Sequence, residues 1–293
     1  MTRSLSHVGA ALRKLHGVDA VLSDGEHVGI PLALAMRTLG ITTPHLMIGH
    51  RPTAPIKAPF FRLLHAERRI DRILVHSSSQ RSLVSHRLGL PPAMVSILPY
   101  GIDTEFWRPE DAAEETLVVA PGREHRDHRT LAAACRSQHF RVAVTGASAH
   151  SPRSRRAAPP VWPPNVELGA VSYLELRRLY ARASIVVVPL LPADFPAGVT
   201  SLVEAMAMGK AVVASATVGL RGIVEDGETG LLVPPGDAGS LREALCRLLA
   251  DPRERERLGG NARALAIRRH GLDLYAERLA GHLSDLGRCG GSG

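Results

Sequence analysis

Short runs of β-branched and other apolar residues alternate with stretches of helical periodicity along almost the whole of this 293-residue chain. Strands that alternate with helices in sequence are typical of parallel sheets whose faces are covered by helices. Ile185–Pro189 is almost wholly apolar, as expected for a central parallel strand that is buried on both faces. The alternation therefore predicts an α/β fold built on parallel sheets.

The predicted strands fall into two sets that are separated by a turn-rich segment. The first set is Asp19–Ser23, His45–Gly49, Arg72–His76 and Val95–Leu98, and the second is Leu117–Ala120, Arg141–Thr145, Val166–Leu168, Ile185–Pro189 and Ala211–Ser215. Pro99–Asp103 lies between them and predicts a hinge. Because a domain has roughly 100–200 residues, the length suits two domains. We predict one domain over residues 1–104, a second over 105–270, and a C-terminal helix with a flexible tail over 271–293.

The sequence also predicts two helices and one loop between these strands. A helix is predicted to begin near Gly29-Ile30-Pro31 and to end at Gly40, and another covers Ser201–Met208. Arg153–Asn165 is rich in proline and arginine, which predicts an exposed loop.

The composition excludes several classes of protein. Hydrophobic residues make up 45% of the chain and charged residues 22%, which is typical of a soluble globular protein and not of a disordered one. The net charge of +8 suggests nucleic acid, but only 4% of the residues are aromatic, which disfavours binding of single strands by base stacking. Almost all of the basic residues are arginine. When the chain is divided at residue 105, the excess of positive charge is shared between the two parts. We therefore expect no nucleic-acid partner.

The cysteines and the N-terminal residues bear on the compartment. Cys135, Cys246 and Cys289 are widely spaced and support neither a disulfide framework nor a zinc site. The first sixteen residues lack the apolar core of a signal peptide, and no apolar run approaches the ~18 residues of a membrane span. We expect a cytoplasmic protein, and peripheral contact with the inner face of the membrane is left open.

The turn Pro121–Asp127 is the first segment suited to chemistry. It lies between a predicted strand and a predicted helix, and Gly122 allows a tight turn there. The following helix presents free amides, and Arg123 and Arg126 can clamp a diphosphate. The alternative is a solvated, charged turn without a ligand.

The segment Asp194–Met206 is the second segment suited to chemistry. It follows the buried strand at its carboxyl end, where open α/β sheets bind ligands. Gly198 permits close approach of a phosphate, and Glu204 can accept hydrogen bonds from a ribose diol. The alternative is structural, because Ser201-x-x-Glu204 also has the spacing of a capping box. Other nucleotide signatures are absent, since no Gly-x-x-x-x-Gly-Lys-Ser/Thr loop and no Gly-x-Gly-x-x-Gly occurs.

Several motifs, taken in order, resemble the family 4 glycosyltransferases of the GT-B fold. The resemblance covers roughly residues 19–265. It rests on these segments: Ile70–Ser77, Leu88–Pro92, Val95–Thr104, Gly122-Arg123 with Arg126, Asn165–Gly169, Tyr180–Ala183, Glu204–Gly209 and Gly227–Asp237. It implies two Rossmann-like domains, the first of them on the acceptor side and the second holding the donor.

The resemblance also implies a function. Family members transfer a sugar from a nucleoside diphosphate sugar with retention of configuration, and they need neither a metal nor a cofactor. Arg123 and Arg126 would neutralise the diphosphate leaving group, helped by amides at Gly198 and Val199, and Glu204 would hold the ribose. His50, at the end of a strand, resembles the histidine that faces the donor sugar. Its alternative is a surface loop histidine without a role.

Two departures from the family pattern leave the activity open. The family has an acidic residue eight positions before the helical glutamate, whereas this chain has Pro196, with Asp194 as the nearest carboxylate. The family also opens with a strand and a glycine-rich loop that are not found here, so we expect the N-terminal domain to be incomplete. The expected partners are the donor and a glycan, lipid or small-molecule acceptor. A non-catalytic sugar-nucleotide binder or partner subunit is the alternative.

Overall fold

The computed structural model of the chain describes residues 2–146 and 161–290. Most of the loop predicted at Arg153–Asn165, and the last three residues of the predicted flexible tail, lie outside this range. The described chain divides into two compact units. One comprises the residues up to Pro99 together with those from Asp273 onward, and the other is Tyr100–Leu272.

The first unit is built on a parallel sheet with strand order β1-β2-β3-β4. Its elements up to Pro99 are α1 (Thr2–Leu12), β1 (Val21–Asp24), α2 (Glu26–Thr38), β2 (His45–Ile48), α3 (Ala58–Arg62), β3 (Arg72–Val75), α4 (Ser78–Leu88) and β4 (Val95–Ile97).

The second unit is built on a larger parallel sheet, and one further helix ends the chain. Its elements are β5 (Glu115–Pro121), α5 (His128–Cys135), β6 (Arg141–Thr145), β7 (Val166–Gly169), α6 (Tyr173–Arg182), β8 (Ala183–Val188), α7 (Val199–Ala207), β9 (Ala211–Ser215), β10 (Leu231–Val233), α8 (Ala238–Ala250) and α9 (Pro252–His270). The last helix is α10 (Leu272–Gly290).

The first sheet is covered on both faces, which explains why its strands are apolar throughout. One core contains Ile73 with Phe61 of α3 and Val84 of α4. The other contains Leu46 and Leu74, on which Leu286 of α10 packs. The C-terminal helix, which was predicted as a separate segment, therefore completes the first unit because its apolar stripe buries one face of that sheet.

The second sheet has the strand order β10-β9-β8-β5-β6-β7, with every described pairing parallel. From β5 the chain proceeds outward to β7, and it then returns to the other side of β5 with β8. The direction of winding therefore changes between β5 and β8, and such a switch point opens a crevice at the carboxyl ends of the strands. Every residue of β8 is buried, with Ile185 in one core and Val186 in the other. The α/β fold of parallel sheets and the buried central strand are confirmed.

Two helices begin earlier than predicted. Helix α2 begins at Glu26 and contains Pro31 in its interior, so the proline does not mark its start. Helix α7 begins at Val199, and its N-cap is Gly198 with a left-handed backbone. None of the described helices combines the length with the apolar character that crossing a bilayer needs.

Candidate functional site

The loops that follow β5 and β8 meet at the switch point of the second sheet. The amide of Asp127 donates to the carbonyl of Pro189 at 3.0 Å, and the amide of Leu191 donates to the carbonyl of His125 at 3.0 Å. The turn Pro121–Asp127 and the segment from Asp194 onward, which lie some seventy residues apart in sequence, therefore flank one crevice.

Arg126 joins the two loops. Its Nε donates to the carbonyl of Pro121 at 2.8 Å, Nη1 to the carbonyl of Glu124 at 2.9 Å, and Nη2 to Oγ of Ser201 at 3.0 Å. Burial lowers the pKa of Arg126 to about 10, so the guanidinium stays charged at neutral pH. A poorly hydrated cation held in a fixed orientation is well suited to bind a phosphate.

Gly122 and Gly198 lie against this guanidinium, one from each loop. Both have a left-handed backbone, with φ of 83° and 76°. A Cβ atom on Gly122 would lie 2.5 Å from Nη2 of Arg126, and one on Gly198 would lie 3.1 Å from Nη1. The two glycines therefore allow the two turns and also leave space for the side chain of Arg126. A side chain at either position would displace the guanidinium.

Glu204 is buried beneath this arginine on the second turn of α7. The hydroxyl of Tyr180, which is also buried, donates to Oε2 of Glu204 at 3.5 Å. Burial raises the pKa of Glu204 to about 8, against the opposing effects of the Tyr180 hydrogen bond and the charge of Arg126. The carboxyl group is therefore largely protonated at neutral pH when no ligand is bound.

The capping-box interpretation of Ser201 and Glu204 is wrong. The N-cap of α7 is Gly198, so Ser201 lies within the first turn, where its hydroxyl accepts from Arg126 instead of capping the helix. Glu204 turns to Tyr180 and the interior. No local pattern indicated this, because the partners come from α6 and from the β5 loop.

The other predicted residues of the second unit lie around this centre. Arg123 is exposed, with its aliphatic stem against Gly146. Val199 is buried, and its amide donates to the carbonyl of Pro196 at 3.3 Å. Asp194 is half-buried on the loop that leads into α7. The amide of Gly219 donates to the neighbouring carbonyl of Ala193, which fixes the path of that loop.

His50 belongs to the first unit, where it follows β2. It lies between Asp24, the last residue of β1, and His76, which follows β3. Its Nε2 lies 3.1 Å from Oδ1 of Asp24, and its Nδ1 lies 3.3 Å from Nε2 of His76. The Nδ1 of His76 in turn lies 3.0 Å from the carbonyl oxygen of Leu98.

These contacts define which ring nitrogens donate. A carbonyl can only accept, so Nδ1 of His76 carries a proton and donates to Leu98. Burial lowers the pKa of His76 and keeps the ring neutral, which leaves its Nε2 as an acceptor. A carboxylate can also only accept, so His50 makes both of its contacts when both ring nitrogens carry a proton, with Nδ1 donating to His76 and Nε2 donating to Asp24.

Sequence reasoning missed the residues that support His50. The side chain of Gln80 donates to the carbonyls of Gly49 and His50 at 2.8 Å and accepts from the amide of His76. Glu26 is buried, with its carboxylate 2.9 Å from Nζ of Lys57. A glutamine within a helix carries no sequence signal of such a role. Within residues 2–146 and 161–290, no three His, Cys, Asp or Glu side chains form a group that could hold a metal ion.

Family models match both parts of the chain. The model described as "Glycosyltransferase Family 4" matches residues 1–106, and the model described as "Glycosyl transferases group 1" matches residues 125–251. The chain is 30% identical over 218 residues to the MMP alpha-(1->4)-mannosyltransferase of Mycolicibacterium hassiacum, covering 68% of this chain and 50% of that protein. It is 28% identical over 291 residues to the D-inositol 3-phosphate glycosyltransferase of Thermomonospora curvata, covering 86% of this chain and 65% of that protein.

Solved structures of GT-B glycosyltransferases share the fold. Anabaena HepE in complex with UDP-glucose aligns with a TM-score of 0.79 at 18% identity, covering 95% of this chain and 82% of that one. The chain spans about half to two thirds of the length of the mannosyltransferase and of the inositol 3-phosphate glycosyltransferase. With matching family models over both units and the shared fold, the chain belongs to the group 1, family 4 glycosyltransferases.

Proposed function

We propose that this protein transfers a sugar from a nucleoside diphosphate sugar to a hydroxyl acceptor, with retention of configuration and without a metal ion. One observation carries the proposal. The desolvated guanidinium of Arg126 lies between Gly122 and Gly198 at the switch point of the second sheet, above the buried carboxyl group of Glu204. A diphosphate and its ribose present the groups that such an arrangement binds: negative charge for the arginine and a diol for the carboxyl.

The chemistry assigned to Arg126 is electrostatic. When the bond between the sugar and the diphosphate breaks, negative charge grows on the departing phosphate. A cation that is already oriented and desolvated stabilises that charge without reorganising, so its effect is greater in the transition state than in the ground state. Arg123, which is exposed beside it, adds a second positive charge, and the amides at the start of α7 point toward the same anion.

Glu204 is assigned to the ribose. Hydroxyl groups that donate to a carboxylate favour its ionised form, so donor binding opposes the effect of burial on the pKa of Glu204. His50, which follows β2 in the first unit, is assigned to the donor sugar.

The relatives support the substrate class. One structural neighbour holds UDP-glucose, and the names of two curated relatives specify a mannosyl and an inositol 3-phosphate reaction. We infer a nucleoside diphosphate hexose as the donor and a glycan, lipid or small-molecule hydroxyl as the acceptor.

A second function is favoured by Pro196. This buried proline stands eight residues before Glu204, where the family has an acidic residue that meets the sugar hydroxyls. A chain without that contact can bind the nucleotide yet fail to orient the sugar. The second candidate is therefore a non-catalytic binder of sugar nucleotides or a partner subunit.

One experiment separates the two candidates. The protein is incubated in EDTA with UDP-, GDP- and TDP-sugars and a panel of acceptors, while binding is measured by calorimetry and nucleoside diphosphate release is followed. Transfer in EDTA, with the anomeric configuration retained by NMR, supports the enzyme. Donor binding without release supports the binder, and failure to bind any donor contradicts both.

A further inference from the structure

The positive charge of the chain is concentrated in one part of the first unit. Residues 27–99 contain nine basic and two acidic side chains, a net charge of +7 out of +8 for the whole chain. Dividing the chain at residue 105 hides this, because acidic residues flank the segment on both sides. From His27 to Ala66 there is no aspartate or glutamate at all.

An exposed apolar stripe crosses the middle of this segment. Ile56, Phe60, Leu63 and Leu64 have exposed fractions of 77%, 37%, 74% and 48%. Their spacing of four, seven and eight residues from Ile56 places them on one face of α3 and of the turns at its two ends. Phe61 points the other way, into the core beneath. Helix α3 thus has apolar residues on both faces, and we call the outward four the α3 patch.

Arginines of α2, α3 and α4 lie beside the α3 patch. Arg37, at the end of α2, donates to the carbonyl of Leu64, and Arg62 of α3 donates to the carbonyl of Arg87 on α4. These contacts bring the ends of α2 and α4 alongside the patch. The exposed arginines at these contacts are Arg37, Arg62 and Arg87.

We propose that the α3 patch docks the protein onto an anionic lipid bilayer. Large apolar side chains with arginines beside them match the interface of such a bilayer, where the apolar groups enter the acyl boundary and the cations meet the phosphates. A second copy of this chain does not match, because contact between two identical patches would bring two positively charged surfaces together. Nucleic acid would satisfy the arginines and leave the apolar stripe in water, so it matches only half of the surface.

Vesicle sedimentation with the full chain tests the proposal. Vesicles of phosphatidylcholine alone are compared with vesicles that also contain phosphatidylglycerol, at low and high salt. We expect binding to the anionic vesicles, weakened by salt. The variant Ile56→Ser/Leu63→Ser removes the two most exposed apolar side chains, and Arg37→Glu/Arg87→Glu inverts two charges beside the patch. Each is expected to weaken binding at least about tenfold, because each surface cation and each inserted apolar group contributes separately.

The matched controls come from exposed positions of the second unit. Leu168→Ser/Ile267→Ser removes the same kind of side chain, and Arg253→Glu/Arg268→Glu gives the same net charge, so both should bind vesicles like the parent chain. Equal loss in the controls would show a general effect of charge or hydropathy and would overturn the proposal. So would absence of vesicle binding, or self-association that the α3-patch variants abolish. The readout is binding, so it is independent of whether the protein transfers a sugar.

Discussion

At the scale of single residues, the candidate site depends on the guanidinium of Arg126 and the carboxyl group of Glu204. The protein holds both groups in place without a bound ligand. Arg126 has three hydrogen bonds to protein acceptors, drawn from its own turn and from α7. Glu204 is buried next to Tyr180. Because both groups are positioned before any anion arrives, binding a diphosphate requires little reorganisation.

Replacing Arg126 should slow the transfer reaction far more than it weakens the fold. We expect Arg126→Gln to lower kcat by about 10²–10³-fold, because the charge on the leaving group loses an oriented cation. Arg126→Lys should retain more activity, since it keeps the positive charge. The measurement is steady-state release of nucleoside diphosphate. Arg129→Gln, an exposed arginine on α5, is the control and should behave like the parent chain; equal rates in Arg126→Gln and the control would contradict the assignment.

Glu204 should make stability depend on pH. Its pKa is raised in the folded state to about 8 and is near 4.3 in an unfolded chain, so the folded state binds the extra proton between these values. The free energy of unfolding of the ligand-free protein should therefore fall as pH rises from about 4.5 to about 8, by at most about 5 kcal/mol.

Glu204→Gln removes this titration. The amide matches the shape of the protonated acid, so the variant should equal the parent near pH 4 and exceed it in stability near pH 8. Urea unfolding at several pH values is the measurement. A constant difference between the two proteins over this pH range would show that Glu204 does not titrate as assigned.

His76 should favour a proton on Nδ1 of His50. In His76→Phe the ring nitrogen that accepts from Nδ1 of His50 is gone, so the contact with Asp24 favours the tautomer that carries its proton on Nε2. Nitrogen-15 NMR of the histidine rings measures this directly, and His86→Phe, at an exposed position on α4, is the control. Persistence of a proton on Nδ1 of His50 in His76→Phe would mean that another contact holds His50.

At the scale of elements, the start of α7 brings the site together. Its N-cap, Gly198, lies against both Val188 of β8 and Arg126 of the neighbouring loop. The helix therefore begins where its glycine leaves space for the arginine, two residues earlier than the apolar pattern predicts. Helix α2 also begins earlier than predicted. Its first residue is Glu26, and Pro31 lies in its interior.

Gly198→Ala tests this arrangement against a matched glycine. The added Cβ would lie 2.8 Å from Cγ1 of Val188 and 3.1 Å from Nη1 of Arg126. Gly236 has a similar φ of 81°, but a Cβ there meets nothing within 4 Å, so Gly236→Ala reports the backbone strain alone, about 1–2 kcal/mol. We expect Gly198→Ala to be less stable than Gly236→Ala and also to bind donor more weakly, as measured by thermal unfolding and calorimetry. Equal effects in the two variants would exclude a special role for Gly198.

At the scale of the whole molecule, the chain returns to its first unit after completing the second. Helix α10 places Tyr275, Leu279, Leu283 and Leu286 on the sheet face that includes Leu46 and Leu74. Arg72 of β3 adds an ion pair to Asp285 at 3.5 Å. The first unit is therefore assembled from two segments, one ending at Pro99 and the other beginning at Asp273, and its core is complete only when the last helix has docked.

Leu286→Ala should therefore destabilise the first unit selectively. Truncating a buried leucine costs about 2–5 kcal/mol, whereas Leu272→Ala at an exposed position should change stability by less than about 0.5 kcal/mol. Amide hydrogen exchange should show faster exchange in β2 and β3 and unchanged exchange in β5 and β8. Faster exchange in β5 and β8 instead would place α10 with the second unit.

Much of this molecule could be predicted from local sequence. Ile185–Pro189 identified the buried central strand, and the turn at Gly122 with the segment from Asp194 identified both sides of the crevice, because apolar runs, glycines and strand ends are local signals. The helix starts of α2 and α7 and the role of Ser201 could not be predicted in this way, since neighbouring elements determine them.

The sequence by itself determined the alternation of strands and helices, the parallel sheets and the family, because periodicity and short motifs are properties of contiguous residues. Only the tertiary structure decided that β5 and β8 are neighbours, that Gly122 and Gly198 enclose Arg126, that burial keeps a proton on Glu204, and that α10 completes the first sheet. Each of these depends on which distant segments exclude water from one another, and burial of that kind is decided by packing across the sheets and not by the order of residues along the chain.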